Sequence, residues 1–261
     1  MDMIHSGGVA RMPRALVLTG DSLGGARETA LAFQMARFET DVESLGSLIR
    51  SQVSLDALSS RYQVLAIPGG FSFGDHLGAG KVLALKIKHA LKWDLARFTQ
   101  RGGLVLGIGN GFQALIKLGL FARDLSITLN DQGRFRTEWV RLQPLGNRCL
   151  WTRGLGNLDL PIRHTEGRVV IASSARLEVW ARMERVGMAC LRYEGDPNGS
   201  EERIAGLCDS TGRIFGLMPH PENFVRWTQH PEWTAQPGRA SSPGQGLAIF
   251  ENAHAEALKV L

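Results

Sequence analysis

The chain has 261 residues, 44% hydrophobic and 21% charged, with a formal net charge of +5. That is the balance of a globular protein that can bury a sizeable core, and it excludes a low-hydrophobicity disordered chain. The longest apolar runs, "VLALKI" and "GLVLGI", fall well short of the ~20 residues a membrane helix needs, which excludes a membrane-spanning reading.

In chain order, "MDMIHSGGVARMPR" has no apolar stretch of the kind a secretory signal carries, and residues 1–13 read as a disordered leader. "RALVLTG" (Arg14–Gly20) reads as a first strand, mostly apolar and closed by glycine. "ARETALAFQMARF" follows as a helix whose apolar face is set by Leu31, Met35 and Phe38. "YQVLAIPGG" (Tyr62–Gly70) is a second buried strand, stopped by Pro-Gly-Gly. "GKVLALKIKHALKWDLARFTQRGG" is predicted as one helix ending at Gly102, and "LVLGI" as a third buried strand. Continuous apolar strands alternating with helices predict an α/β fold with a mostly parallel central sheet covered on both faces. In such sheets ligands sit beyond the carboxyl ends of the strands. The loops "TGDSLGGA", "PGGFSFGDHLGAGK" and "GIGNGFQ" therefore share one rim.

From about Ser126 to Arg192 the pattern changes to shorter strands with polar turns, antiparallel in flavour. "DPNGS" (Asp196–Ser200) marks a turn, "RIAGLCDSTGRIFGL" a hairpin about Ser-Thr-Gly, and "GQGLAIFENAHAEALKVL" a closing helix. No internal repeat or long linker interrupts the chain, so residues 14–261 are expected to form a single domain. The three cysteines, Cys149, Cys190 and Cys208, are widely spaced and form no CxxC pair. They read as reduced buried thiols of a cytoplasmic protein, with no metal site. The positive charge favours phosphate-bearing ligands or an acidic partner surface. The arginines between Arg134 and Arg168 are spread singly without interleaved aromatics, so nucleic acid is not the expected partner.

Three segments carry candidate chemistry. In "GLMPHPENF", Pro219 and Pro221 flank His220, and Glu222 lies two residues on. The carboxylate can accept from one ring nitrogen and leave the other as a base; the plain alternative is a surface turn. "PGGFSFGDHLGAGK" offers unscreened backbone N–H groups to an oxyanion or phosphate, or else is simply a flexible loop. It is not a P-loop, because Val82 follows Lys81 and the glycine spacing is one residue too long. "LVLGIGNGFQAL" has the strand, tight turn and helix of a nucleophile elbow, with Gly109 at its tip. Glycine adopts such turns freely but brings no chemistry. Together these are the base, orienter and oxyanion loop of an acyl-transfer site that lacks its nucleophile.

With "PGGFSFGDHLGAGK", "LVLGIGNGFQALIKLGL", "NDQGRFRTEWVRL", "LPIRHTEGR", "DPNGS" and "GLMPHPE" in this order, the chain resembles class I, triad-type glutamine amidotransferases. More narrowly, it resembles the glutaminase subunit of phosphoribosylformylglycinamidine synthase, from purine biosynthesis. The resemblance implies a flavodoxin-like fold with an added antiparallel region. It also implies release of ammonia from glutamine by an elbow cysteine, for a synthetase partner that carries ATP and Mg and forms the amidine. No cofactor is implied for this chain. By position, Gly109 stands where the cysteine would be, His220 is the general base and Glu222 its orienter. Gly70 and Asn110 supply the oxyanion hole, and Gly69, Phe71 and Gln113 bind substrate. Gly24-Gly25 stands where the family usually carries Asn-Cys. No other cysteine has an elbow around it, and Ser72 has no evident base. The expected hydrolytic step is therefore lost or severely reduced. The alternatives are an inactive paralogue that senses glutamine or binds the partner, and slow hydrolysis by water at His220.

Overall fold

Short apolar strands that leave a rim of glycine-rich loops dominate the first half of the molecule. The computed structural model describes residues 11–171, 174 and 176–261. Most of the leader expected over 1–13, residues 1–10, lies outside the described residues. Strand β1 (Arg14–Thr19) leads through a Gly-containing loop into α1 (Ala26–Met35). There follow β2 (Glu39–Ser44), α2 (Leu45–Arg50), α3 (Leu55–Ser59) and β3 (Val64–Ile67). After the loop that starts at Gly69 come α4 (Lys81–Leu85), α5 (Leu95–Gln100), β4 (Leu104–Ile108) and α6 (Asn110–Lys117). The second half contributes β5 (Leu125–Leu129), β6 (Arg136–Pro144), β7 (Leu158–His164), β8 (Glu166–Ile171), α7 (Arg176–Arg185) and β9 (Ala189–Tyr193). It ends with β10 (Ile204–Cys208), β11 (Ile214–Leu217) and α8 (Leu247–Ala257).

One sheet runs β2-β1-β3-β4-β11-β10-β9-β6-β7, and β5 pairs with β8 apart from it. The pairings from β2 through β11 are parallel. Those from β11 through β7 are antiparallel. The parallel core with an antiparallel extension is the architecture expected from the sequence, including the β10–β11 hairpin. Alternation along each strand divides the core. Ala15, Val17, Val64, Ala66, Leu104 and Leu106 face α1 and α8, where the Phe33 and Phe250 rings meet edge to face at 4.9 Å. Leu16, Leu18, Leu65, Ile67 and Val105 face α2 to α5. Among the described residues no helix is long and apolar enough to cross a membrane.

Several local expectations need correction. The predicted long helix up to Gly102 is broken: a single π-type turn covers Lys86–Ala90 and a new helix starts at Leu95. Lys92 takes a φ of +54°, and Asp94 caps the new helix by accepting from the Arg97 amide at 3.2 Å. The buried residues of α1 are Ala26, Thr29, Ala30, Ala32 and Phe33, while Leu31 and Met35 are only half-buried. Small residues there let the helix lie close to the sheet. β2 and α7 are polar elements with no continuous apolar run to announce them. β2 is an edge strand held by Asp41, which accepts from Arg14 at 2.6 Å and from the Tyr62 hydroxyl at 2.5 Å. Tyr62 holds the Asp41 carboxyl below its usual range, with Arg14 assisting, while burial and Asp41 push Tyr62 up to about 12.

Candidate active site

Parallel strands put their carboxyl ends together. β3 delivers Gly69 and Gly70, β4 delivers Gly109, and β11 delivers His220 to the same rim. Four antiparallel pairings, from β11 through β10, β9 and β6, make β7 run parallel to β4, so His164 at its end reaches that rim too. The His220 amide donates to Pro161 O of β7 at 2.9 Å, which ties the segment after the central strand β11 to the edge strand β7. Gly69, Gly70, Phe71, Gly109, Asn110, Gln113, His220 and Glu222 all line one cavity of about 440 Å³.

The elbow has the backbone that its sequence suggests. Gly109 has φ +51° and ψ −107°, a combination side chains rarely adopt, and its amide donates to Leu217 O at 2.8 Å. α6 begins at the next residue, so the Asn110 N–H lies in the first turn, where no intrahelical acceptor exists. A Cβ on Gly109 would stand 3.3 Å from His220 Nε2 and 3.2 Å from Cε1. His220 Nδ1 meets Glu222 Oε1 at 2.7 Å, and both side chains are buried. A carboxylate only accepts, so Nδ1 carries the proton and Nε2 turns its lone pair toward Gly109. Beside them, a Cβ on Gly69 would lie 2.7 Å from His220 Cε1, so the imidazole fills the space a larger residue would need.

The glycine-rich loop is a braced structure rather than a flexible one. Asn110 Oδ1 accepts from the Ser72 amide at 3.1 Å, while Nδ2 donates to Asp75 at 2.9 Å and to Gln113 Oε1 at 2.8 Å. Gln113 Nε2 donates to Glu166 O at 2.5 Å, and the Ala79 amide donates to Glu166 Oε2 at 3.2 Å. Both ends of the Gln113 amide are thus engaged within the protein. Burial pushes the Asp75 carboxyl up and Lys117, nearby on α6, down. Ser72 is buried and is not among the cavity-lining residues. Asp75, His164 and Glu166 belong to this site but are not among the candidates read from sequence. For His164 and Glu166 the signal was the polar cluster of "LPIRHTEGR" interrupting a strand pattern, and for Asp75 its place in "PGGFSFGDHLGAGK".

His164 is the most perturbed of them. Asn130 Nδ2 donates to Arg134 O and His164 O, leaving Oδ1 to accept from His164 Nδ1 at 2.9 Å. The bonding network therefore assigns the proton to Nδ1. Burial, followed by the charges of His220 and Arg136, pushes this imidazole down to about 4. In the unfolded chain it titrates near 6.5. Above that pH neither state holds the extra proton and His164 has no effect. As pH falls from 6.5 toward 4 the unfolded state takes up a proton that the native state refuses, and stability declines by up to about 3 kcal/mol. Unfolding free energies at pH 7 and pH 4 are expected to differ less in His164→Gln than in the unaltered chain. Equal pH slopes would remove His164 as the cause.

Residues 12–255 match the CobB/CobQ-like glutamine amidotransferase domain. The chain is 38% identical to the phosphoribosylformylglycinamidine synthase subunit PurQ of Dehalococcoides mccartyi, covering 87% of this chain and 90% of that protein. It is 36% identical to PurQ of Methanococcus maripaludis, covering 93% and 96%. Among solved structures, PurLQS from Thermotoga maritima superposes with a TM-score of 0.73 at 31% identity, covering 93% of this chain and 98% of that one. The chain belongs to the glutamine amidotransferase family and, within it, to the PurQ subunits of phosphoribosylformylglycinamidine synthase.

Proposed function

We propose that this chain is the PurQ-type subunit of a phosphoribosylformylglycinamidine synthase, working in the cytoplasm, whose glutamine-hydrolysing step has been lost. One observation carries the reading: the elbow tip that faces the His220–Glu222 pair is Gly109. The pair can accept a proton at Nε2, and the N–H groups of Gly70 and Asn110 suit a developing oxyanion. Gly69 and Phe71 border the substrate, and Gln113 holds the wall through Glu166. With no atom to attack the amide carbon, no acyl-enzyme forms. Attack by a water held at His220 forgoes covalent catalysis and falls several orders of magnitude short. The chemistry at the rim cavity calls for no metal or cofactor on this chain. ATP and Mg belong to the synthetase partner, which accepts free ammonia in place of the missing glutaminase product.

The test is amidine formation by the reconstituted complex with two nitrogen donors. Ammonium is expected to support turnover while glutamine does not. Equal turnover with glutamine would overturn the proposed loss. The cavity also supports a second reading, because its walls and its buried His–Glu pair are retained without a nucleophile. On that reading the chain senses glutamine. Glutamine should then raise the melting temperature, or alter the association with the synthetase, without being consumed.

A further inference from the structure

The three cysteines, widely spaced in sequence, come together in the fold. Cys149 lies in the irregular segment between β6 and β7, Cys190 on β9 and Cys208 at the end of β10. Their sulfur atoms all lie within 4.8 Å of one another, and the residues are 1%, 0% and 0% exposed. These are all the cysteines of the chain. Thr152 sits beside Cys149, and its buried hydroxyl has no partner among the described residues other than the Cys149 sulfur. Three sulfur atoms and a hydroxyl are thus gathered in one buried cluster. The other acidic group nearby is committed elsewhere: Asp209 accepts from Thr211, Arg213 and Ile214.

We infer that Cys149, Cys190 and Cys208 form a buried site for a soft d¹⁰ cation, with zinc(II) the expected occupant and Thr152 Oγ1 at the fourth position. Sulfur selects such ions over magnesium or calcium. Zinc–sulfur bonds of ~2.3 Å at tetrahedral angles need sulfur atoms about 3.8 Å apart, so the cluster must contract by roughly 1 Å at most. Zinc(II) with three thiolates leaves one net negative charge in the core, whereas a monovalent ion would leave two, and buried charge is expensive. Binding forms three zinc–sulfur bonds and releases to solvent the protons the thiols still carry. The segment bearing Cys149 supplies the entry. Its Asn147, Arg148, Arg153 and Gly154 are exposed, while Trp151 Nε1 pins it by donating to Arg213 O at 3.0 Å. This site is separate from the rim cavity, and the inference does not depend on how Gly109 is read.

The full chain, reduced and stripped with a chelator, is loaded with zinc(II), desalted and assayed for metal. One zinc per chain is expected, with binding at least roughly tenfold weaker in each of Cys149→Ala, Cys190→Ala and Cys208→Ala. Absence of retained zinc, or retention by the three variants equal to that of the unaltered chain, would overturn the assignment. If the variants do not fold, cobalt(II) loading of the unaltered chain decides. A thiolate-to-cobalt charge-transfer band supports the site; cobalt bound without it overturns it.

Discussion

Gly109→Cys is expected to install glutamine-dependent turnover in the complex, roughly 10³–10⁴-fold above the unaltered chain. The cavity already holds the partners a thiol needs. A Cβ at this position lies 3.3 Å from His220 Nε2, and His220 is oriented by Glu222 at 2.7 Å. The N-terminus of α6 and the imidazole both favour the thiolate. The same substitution is expected to lower stability by about 1–3 kcal/mol, because a side chain must then occupy φ +51° and ψ −107°. At 3.2 Å from Cε1 the imidazole must also yield by a few tenths of an ångström. Activity and stability report on different links, the first on the relay and the second on the turn. If Gly109→Cys remains silent with a partner that turns over free ammonia, the next candidate is Gly25. A Cβ there would stand 3.6 Å from Glu222 Oε1, and Glu222 Oε2 is buried without a partner among the described residues. Adding Gly25→Ser would give that carboxylate a donor and steady the base.

How far the sequence disclosed this arrangement depended on the length scale of the signal. Strands such as Leu104–Ile108 are continuous apolar runs, and their carboxyl ends had to meet because parallel pairing leaves no other geometry. His220 and Glu222 are neighbours in sequence, so their contact was legible from two positions. The parts that escaped are held by partners far away in the chain. β2 depends on Asp41 meeting Arg14 and Tyr62, and the oxyanion loop depends on Asn110 reaching back to Ser72 and Asp75. Gln113 is braced by a backbone carbonyl 53 residues away. The cysteines illustrate the same limit: their spacing in sequence suggested isolation, while the register of β9 against β10 and the segment crossing them bring the sulfur atoms together. Periodicity reports which face a residue occupies, but not which distant residue it meets there.

A large loss of stability is expected from Gly70→Ala, with Gly24→Ala as its control. Gly70 has φ +155°, a region almost closed to side chains, and its added Cβ would lie 2.2 Å from Ser22 O, 2.7 Å from Gly24 N and 2.8 Å from Leu23 Cα. All three are backbone atoms, so no side chain can rotate out of the way. The two loops are also stitched at this point, with the Phe71 amide donating to Ser22 O at 3.0 Å and the Gly25 amide to Gly69 O at 3.0 Å. Making room for one methyl group must therefore separate the loops or break these bonds. The expected cost is about 3 kcal/mol or more, from a strained φ combined with overpacking. For a chain of this size that corresponds to a melting temperature lower by roughly 6–12 °C. Gly24 has no positive φ and no atom within 4 Å of its added Cβ, so Gly24→Ala should change stability by no more than about 0.5 kcal/mol. If the two variants melt together, the loops are not locked against one another, and the Gly70 amide is not held where an oxyanion would need it. If Gly70→Ala alone falls, the same rigidity that makes the methyl intolerable is what keeps that N–H fixed beside Gly109. In that case the rim is preorganised for acyl chemistry even in a chain without the thiol to begin it.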